Sequence, residues 1–444
     1  MAAAILVAGF LASLLVNHPG HFSYDSVIQL AQGHFAVYNN WHPPVMAWML
    51  GIAETISPDA AAFAIFDALL LFGTLLSLLF LPGRPSWLSV VVVTAVVASP
   101  LVLLYSGIVW KDVLFAASAT AGFVASAHAA ARWEDARRRY ALLALAALCL
   151  ALATLARHNA NIILPFAALA IGWTAARASN PPSLRRGAVF GLAWLAATAA
   201  VVVLAELALQ TRSDRIGAMR GLMKDLQVYD LAGSVHAEPA LTLDFLHDRA
   251  PELEELLRTK AAPAYSPLSI GSIKRVADFK AAVLKTPASV ISTQWREVVL
   301  EHPLVYLRQR AGVFAGMLSR PDRDWCMAAY TGVKGPEQWM TKLGLIGRMD
   351  RRDELLAAYV DSLRGTPVFS HAAYALVAIV LAVVLVLRRR PPDVAIAALL
   401  LGALAYSATF FFLSVCCDYR FLYFLDLAAM AAVLYVTIAG GADA

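Results

Sequence analysis

Long apolar runs separated by short polar connections fill most of this chain, and runs of that length predict helices able to cross a membrane. They place about ten such helices, at residues 2–17, 59–81, 87–105, 112–131, 140–156, 160–176, 187–209, 367–387, 393–413 and 420–438. Ala, Leu and Val dominate these runs with almost no charge. In lipid the backbone must satisfy its own hydrogen bonds, which a helix does, and the alternation expected of barrel strands is missing. The expected fold is therefore all-α, a polytopic helical membrane protein. Two polar stretches, 18–58 and 210–366, are too long to be simple connections. They divide the chain into a transmembrane core (1–209) carrying a first outward loop (18–58), a helical outward domain (210–366) and C-terminal transmembrane helices (367–444).

Composition agrees with lipid as the solvent: of 444 residues 60% are hydrophobic and only 15% charged, and the mean hydropathy is +0.65. The net charge of +5 implies no nucleic-acid partner, because in such chains the placement of Lys and Arg matters more than their sum. One set of connections holds Arg84, then Arg132 and Arg137 to Arg139, then Arg177, Arg185 and Arg186, then Arg388 to Arg390. The opposite short connections hold single cations, Lys111, Arg157 and Arg420. The basic set is expected to face the cytoplasm. Both termini then lie in the cytoplasm, and the two long segments face the periplasm of a bacterial inner membrane. The first apolar run reads as a spanning helix, since no small-residue cleavage site follows it.

Within 210–366, helix-like stretches at 250–260 and 273–284 are interrupted by Pro263, Pro267 and Pro287. The run from Trp295 through His302, Tyr306 and Arg308 to Arg310 reads as an amphipathic helix with basic residues beside aromatics, which suits a membrane surface. Of the four cysteines, Cys149 falls within a helix, whereas Cys326 can pair with Cys416 or Cys417 on an oxidising side. There is no zinc spacing, phosphate-binding glycine loop or nucleophile elbow, so nucleotide-driven chemistry is not expected.

Candidate chemistry gathers on the outward side. Asp25 opens a helical pattern that Ser23 or Asp25 itself could cap. Pro43 and Pro44 suit the first turn of the next helix, which puts His42 at its entrance, where free amides and the dipole would meet an anion. In the second outward connection Lys111 and Asp112 start a helix together, either as a snorkelling Lys and a dipole-facing Asp or as a phosphate ligand and its partner. Arg157 sits in a tight turn with His158 and Asn159, where charge so near lipid needs a partner: a phosphate or Asp112. Arg420, between Tyr419 and Phe421 at the start of the last helix, is a phosphate ligand or an aromatic-belt anchor.

Asp25 soon after the first spanning helix, followed by His42, Pro43 and Pro44, resembles the GT-C superfamily of integral membrane glycosyltransferases, including the protein O-mannosyltransferase and aminoarabinose transferase families. An acid in the second outward loop, here Asp112, and an Arg and Tyr run near the last helix, here around Arg420, are similar to that superfamily too. The resemblance implies a polyprenyl-phosphate sugar donor, a glycan, lipid or protein acceptor, and Asp25 as the catalytic base, with Asp112 beside the acceptor or orienting Lys111. It further implies that His42, Lys111, Arg157 and Arg420 bind the donor phosphate. Family members often carry two adjacent acids in the first loop. Here Ser26 follows Asp25, so a metal site built on paired acids is not expected, and no cofactor is assigned. Three other classes remain open: a transporter or flippase of lipid-linked sugars, for which Asp67 and Glu206 are the intramembrane acids, a polysaccharide polymerase or ligase, and a noncatalytic assembly protein.

Overall fold

The structure, a computed structural model, describes the chain except residues 40, 84–85, 211–214, 320–324 and 440–444. Asn40 of the first loop and Arg84 of the first basic connection lie outside the described residues. The chain forms two compact units. The first comprises Met1–Ser213, Ala329–Ser407 and Arg420–Ala444, and the second Asp214–Ala328 and Ala408–Tyr419.

The first unit begins with α1 (Ala2–Asn17), α2 (Tyr24–Phe35), α3 (Pro44–Ile56), α4 (Ala61–Leu78), α5 (Trp87–Ala98) and α6 (Pro100–Leu103). It continues through α7 (Lys111–Ala131), α8 (Ala136–Ala156), α9 (Leu164–Ala178) and α10 (Leu184–Gln210). The helix α2 starts at Ser23, whose amide donates to Ser26 Oγ at 3.2 Å. Pro44, with no amide hydrogen to lose, starts α3. The two helices pack at closest approach through Gly33 and Gly51: a Cβ on Gly33 would lie 2.1 Å from the Ala47 carbonyl oxygen.

In the second unit, α11 (Arg215–Ala237), α12 (Asp244–Arg249), α13 (Pro251–Leu256), α14 (Ala262–Ala264) and α15 (Gly271–Lys274) are followed by α16 (Ala277–Lys285), α17 (Ala288–Glu301) and α18 (Pro303–Leu318). Their apolar faces meet in a core that includes Tyr229, Leu246, Ile291 and Val313. The run expected as one amphipathic surface helix is two helices, because Pro303 starts a new one after His302. Arg310 is wholly buried rather than surface-facing: it donates to Asp230 at 2.8 Å and to the Phe411 carbonyl oxygen at 2.7 Å. Trp295 Nε1 donates to the other Asp230 oxygen at 3.0 Å. Burial raises the Asp230 carboxyl to about 6 against the pull of Arg310. Cys326 is bonded to Cys417 within this unit.

The first unit resumes with α19 (Glu337–Leu343), α20 (Arg351–Leu363), α21 (His371–Arg388), α22 (Pro391–Leu413), whose last turns belong to the second unit, and α23 (Tyr423–Ala439). Residues 329–366, which the apolar pattern groups with 210–328, thus pack in the first unit. There Phe22 exchanges backbone hydrogen bonds with Gly332 and Lys334, both at 2.9 Å.

Among the described residues eight helices are long and apolar enough to cross a membrane, or nine if α5 and α6 form one span bent by 64°. The tenth expected helix, α1, is apolar but shorter, with 16 residues. The bend follows from Ser99, extended at φ −61° and ψ 134°, and from Pro100, which has no amide to continue the ladder. The apolar window of α7 is 100% buried, against 22% for α10 and α21. That contrast puts α7 at the centre of the bundle, packed by α4, α8 and α23, and α10 and α21 at its outer face.

Candidate functional site

The connection after α1 and the one before α7 are laced together before any side-chain chemistry begins. His21 N donates to the Gly107 carbonyl oxygen at 2.9 Å, and Val109 N returns a bond to the His21 carbonyl oxygen at 3.0 Å. Ser26 Oγ donates to the Val109 carbonyl oxygen at 2.6 Å, and Trp110 Nε1 donates to Ser23 Oγ at 2.9 Å. The cap of α2 is therefore tied to the residues just before α7. Ser23 occupies the cap position, which leaves the Asp25 carboxylate for another partner.

That partner is Arg420, whose Nη2 donates to Asp25 Oδ2 at 2.6 Å. The same guanidinium places its Nε 3.7 Å from Asp112 Oδ2. Arg157 donates to Asp112 Oδ1 from the other side. Lys111 Nζ donates to His42 Nδ1 at 2.8 Å, and His42 Nε2 lies 3.9 Å from Asp25 Oδ1. With Lys111 as an ammonium, which can only donate, Nδ1 accepts and the imidazole proton sits on Nε2, toward Asp25. The six residues singled out in the sequence, Asp25, His42, Lys111, Asp112, Arg157 and Arg420, thus form one connected cluster.

Aromatic rings complete it. The Arg420 guanidinium lies 5.0 Å from the Trp110 ring centroid and 5.7 Å from that of Phe421, and Arg157 lies 5.0 Å from the same Phe421 ring. Trp110 and Phe421 were not singled out as site residues. The available signal was their position, each next to a cation in sequence. Tyr406, packed on Phe115 at 4.5 Å, interacts with Arg157 and carried no such signal.

Burial separates the two carboxylates. The Asp112 side chain is 1% exposed and that of Asp25 29%. Burial pushes the Asp25 carboxyl up, but Arg420, then His42 and Lys111, hold it down at about 2. Burial and the Lys111 charge keep the His42 imidazole well below its ordinary value, in keeping with a neutral ring. When Lys111 is protonated, it and the two arginines Arg157 and Arg420 against Asp25 and Asp112 leave one net positive charge. The arrangement can attract an anion, and the most exposed acid in it is ionised. Among the described residues no group of three or more His, Cys, Asp or Glu side chains is placed to hold a metal ion.

A second polar knot holds the first loop from behind, and sequence reasoning missed it. His21, fully buried, accepts from Gly332 N at Nδ1 (2.9 Å), and its Nε2 is 3.0 Å from Asn17 Oδ1. Asp353 lies 3.4 Å from Nδ1 and is itself bonded by Arg348 at 3.0 Å. Burial, only partly opposed by Asp353, lowers the His21 imidazole to about 4. Partners more than three hundred positions apart leave no local pattern to read.

Fold and site together define an all-α polytopic protein with a buried central helix whose N-terminal end carries a cluster of paired charges. No family model matches the sequence, and no curated protein does. Among solved structures the chain is similar to the archaeal oligosaccharyltransferase AglB from Archaeoglobus fulgidus, determined with an inhibitory peptide and a dolichol-phosphate. The identity is 14% and the TM-score 0.45, over 98% of this chain and 50% of that one. The chain therefore spans half the length of that protein.

Proposed function

We propose that the first unit is a membrane glycosyltransferase that moves a sugar from a polyprenyl-phosphate donor to an acceptor hydroxyl, with inversion. The observation that carries this reading is the single cluster in which an ionised, partly exposed carboxylate, Asp25, lies among three cations at the end of the central helix. Asp25 takes the acceptor proton as the acceptor oxygen bonds to the anomeric carbon. The bond from that carbon to the phosphate oxygen breaks, and its electrons leave with the polyprenyl phosphate. Lys111, Arg157 and Arg420 stabilise that departing charge where little water reaches. His42, donating from Nε2, steadies the same region. Asp112, buried between two guanidinium groups, acts as a positioning residue that holds Arg157 and Arg420. The arginine-rich connections lie on the cytoplasmic side of a bacterial inner membrane, so the termini share that side and transfer occurs in the periplasm. The acceptor is a glycan, a lipid or a protein.

Transfer of a labelled sugar from a polyprenyl-phosphate donor tests this directly. Asp25→Asn is expected to lose about 100-fold or more in turnover, and undiminished turnover would remove Asp25 as the base. A second reading, transport of a lipid-linked sugar, is favoured by Asp67: it is 1% exposed within α4, and neither carboxyl oxygen has a hydrogen-bond partner among the described residues. Donor crossing vesicle bilayers without sugar transfer, and ceasing in Asp67→Asn, would put transport first.

A further inference from the structure

At the basic end of the first unit, far along α7 from the charge cluster, a groove of about 640 Å³ opens between α4, α7 and α8. Its mouth carries His128, Arg132 and Arg138. The Arg132 guanidinium is held in place: Nη1 donates to His128 Nδ1 at 2.8 Å and Nη2 to the Phe80 carbonyl oxygen at 3.2 Å. His128 in turn donates from Nε2 to the Ser77 carbonyl oxygen at 3.1 Å. The imidazole is therefore neutral and acts as a strut. Arg138 stands at the solvent edge, 3.2 Å from its neighbour Asp135. The adjacent Arg139 turns to the Trp133 and Tyr140 rings instead.

Away from the mouth the walls are apolar, lined by Leu69, Val124, Leu142 and Leu145, and the lining reaches Cys149. On α8, Arg138 and Cys149 are eleven positions apart, about 16 Å at 1.5 Å per residue. That depth is close to half of a hydrocarbon core about 30 Å thick, which is one leaflet. Gly73 provides the width, because a Cβ built on it would meet nothing within 4 Å.

We propose that this groove is a binding site for an anionic phospholipid of the leaflet at the basic end, with its phosphate against Arg132 and Arg138 and one acyl chain along the wall beside Gly73. The charge at the mouth selects the headgroup: a zwitterionic lipid brings its own cation toward two arginines, and an anionic one does not. The apolar depth selects a chain-bearing ligand over a free anion. The site is independent of the transfer chemistry proposed above.

The full chain, purified in detergent and stripped of lipid, can be titrated with phosphatidylglycerol, phosphatidylcholine and inorganic phosphate while bound lipid is followed by native mass spectrometry. Phosphatidylglycerol is expected to bind about tenfold more tightly than phosphatidylcholine, and phosphate not to compete. Arg138→Gln should shrink the preference, and Gly73→Leu, which grows into open space, should weaken both lipids. Arg132→Gln also breaks bonds to His128 and Phe80, so the exposed Arg138 and the open Gly73 carry the test if that variant fails to fold. Equal affinity for the two lipids, full displacement by phosphate, or wild-type binding by both Arg138→Gln and Gly73→Leu would overturn the proposal.

Discussion

A carboxylate that already holds a guanidinium at 2.6 Å is a weak base, and Asp25 is in that state beside Arg420. In the proposed reaction a donor phosphate changes the balance by competing for Arg420. As the guanidinium turns to the phosphate, Asp25 loses the charge that held it at about 2 and becomes more basic when an acceptor proton must be taken. The sign follows from the depressed value: the pair is fully formed above the ordinary aspartate range, near 4, and is lost as pH falls through about 2. In Arg420→Gln the acid limb of kcat/KM is therefore expected to move up, toward roughly 4. A limb that stays in place in a pH–rate profile would mean that Arg420 does not set it. At this scale the sequence was informative where chemistry left a local mark. Asp25, His42, Lys111, Asp112, Arg157 and Arg420 each stand out as polar residues at a helix end, and the structure brings all six together. The knot of His21 with Gly332 and Asp353 was not legible, because neither end of it is unusual in its own neighbourhood.

Helices set the spacing of these groups. Asp25 is at the start of α2 and His42 just before α3, so the distance between the two helices fixes how the imidazole meets the carboxylate. Gly33 and Gly51 allow that approach. A Cβ on Gly51 would lie 2.7 Å from the Gly33 carbonyl oxygen, so Gly51→Val must part the helices. The expected result is faster amide hydrogen exchange across 24–56 and loss of sugar transfer, with the spanning helices retained. Exchange rates equal to wild type would show that the close approach is dispensable. Apolar run length revealed the long helices, since burying a backbone in lipid leaves little choice of structure. It did not reveal the bend at Ser99 and Pro100, where hydrophobicity is continuous across the break. Nor did it reveal that Arg310 is interior: a basic residue among aromatics reads the same in sequence whether it faces a headgroup or a buried Asp230.

For the molecule as a whole, the division into units departs from the order of the chain. Residues 329–366 pack with the first unit, while 408–419 pack with the second. Such returns depend on contacts between distant segments, and no run of apolar residues records them. In the second unit the Cys326–Cys417 bond closes a separation of 91 residues. Its loss is expected to cost about 2–4 kcal/mol of that unit's stability. Cys326→Ser should accordingly lower the thermal unfolding transition of the second unit under oxidising conditions. All six cluster residues belong to the first unit, so a variant that keeps sugar transfer at low temperature is expected. An unchanged transition would mean that the bond contributes nothing to the fold.

The pair between Asp25 and Arg420 joins positions 395 residues apart. A ribosome making this chain delivers the acid near the beginning of synthesis and its guanidinium only with the last apolar helix. Until then the first loop carries a carboxylate without its cation, and the cluster is short of one positive charge. A chain truncated just before residue 420 would hold most of its spanning helices and still be unable to complete the cluster. The cluster is therefore completed only when the last apolar helix has been threaded into place.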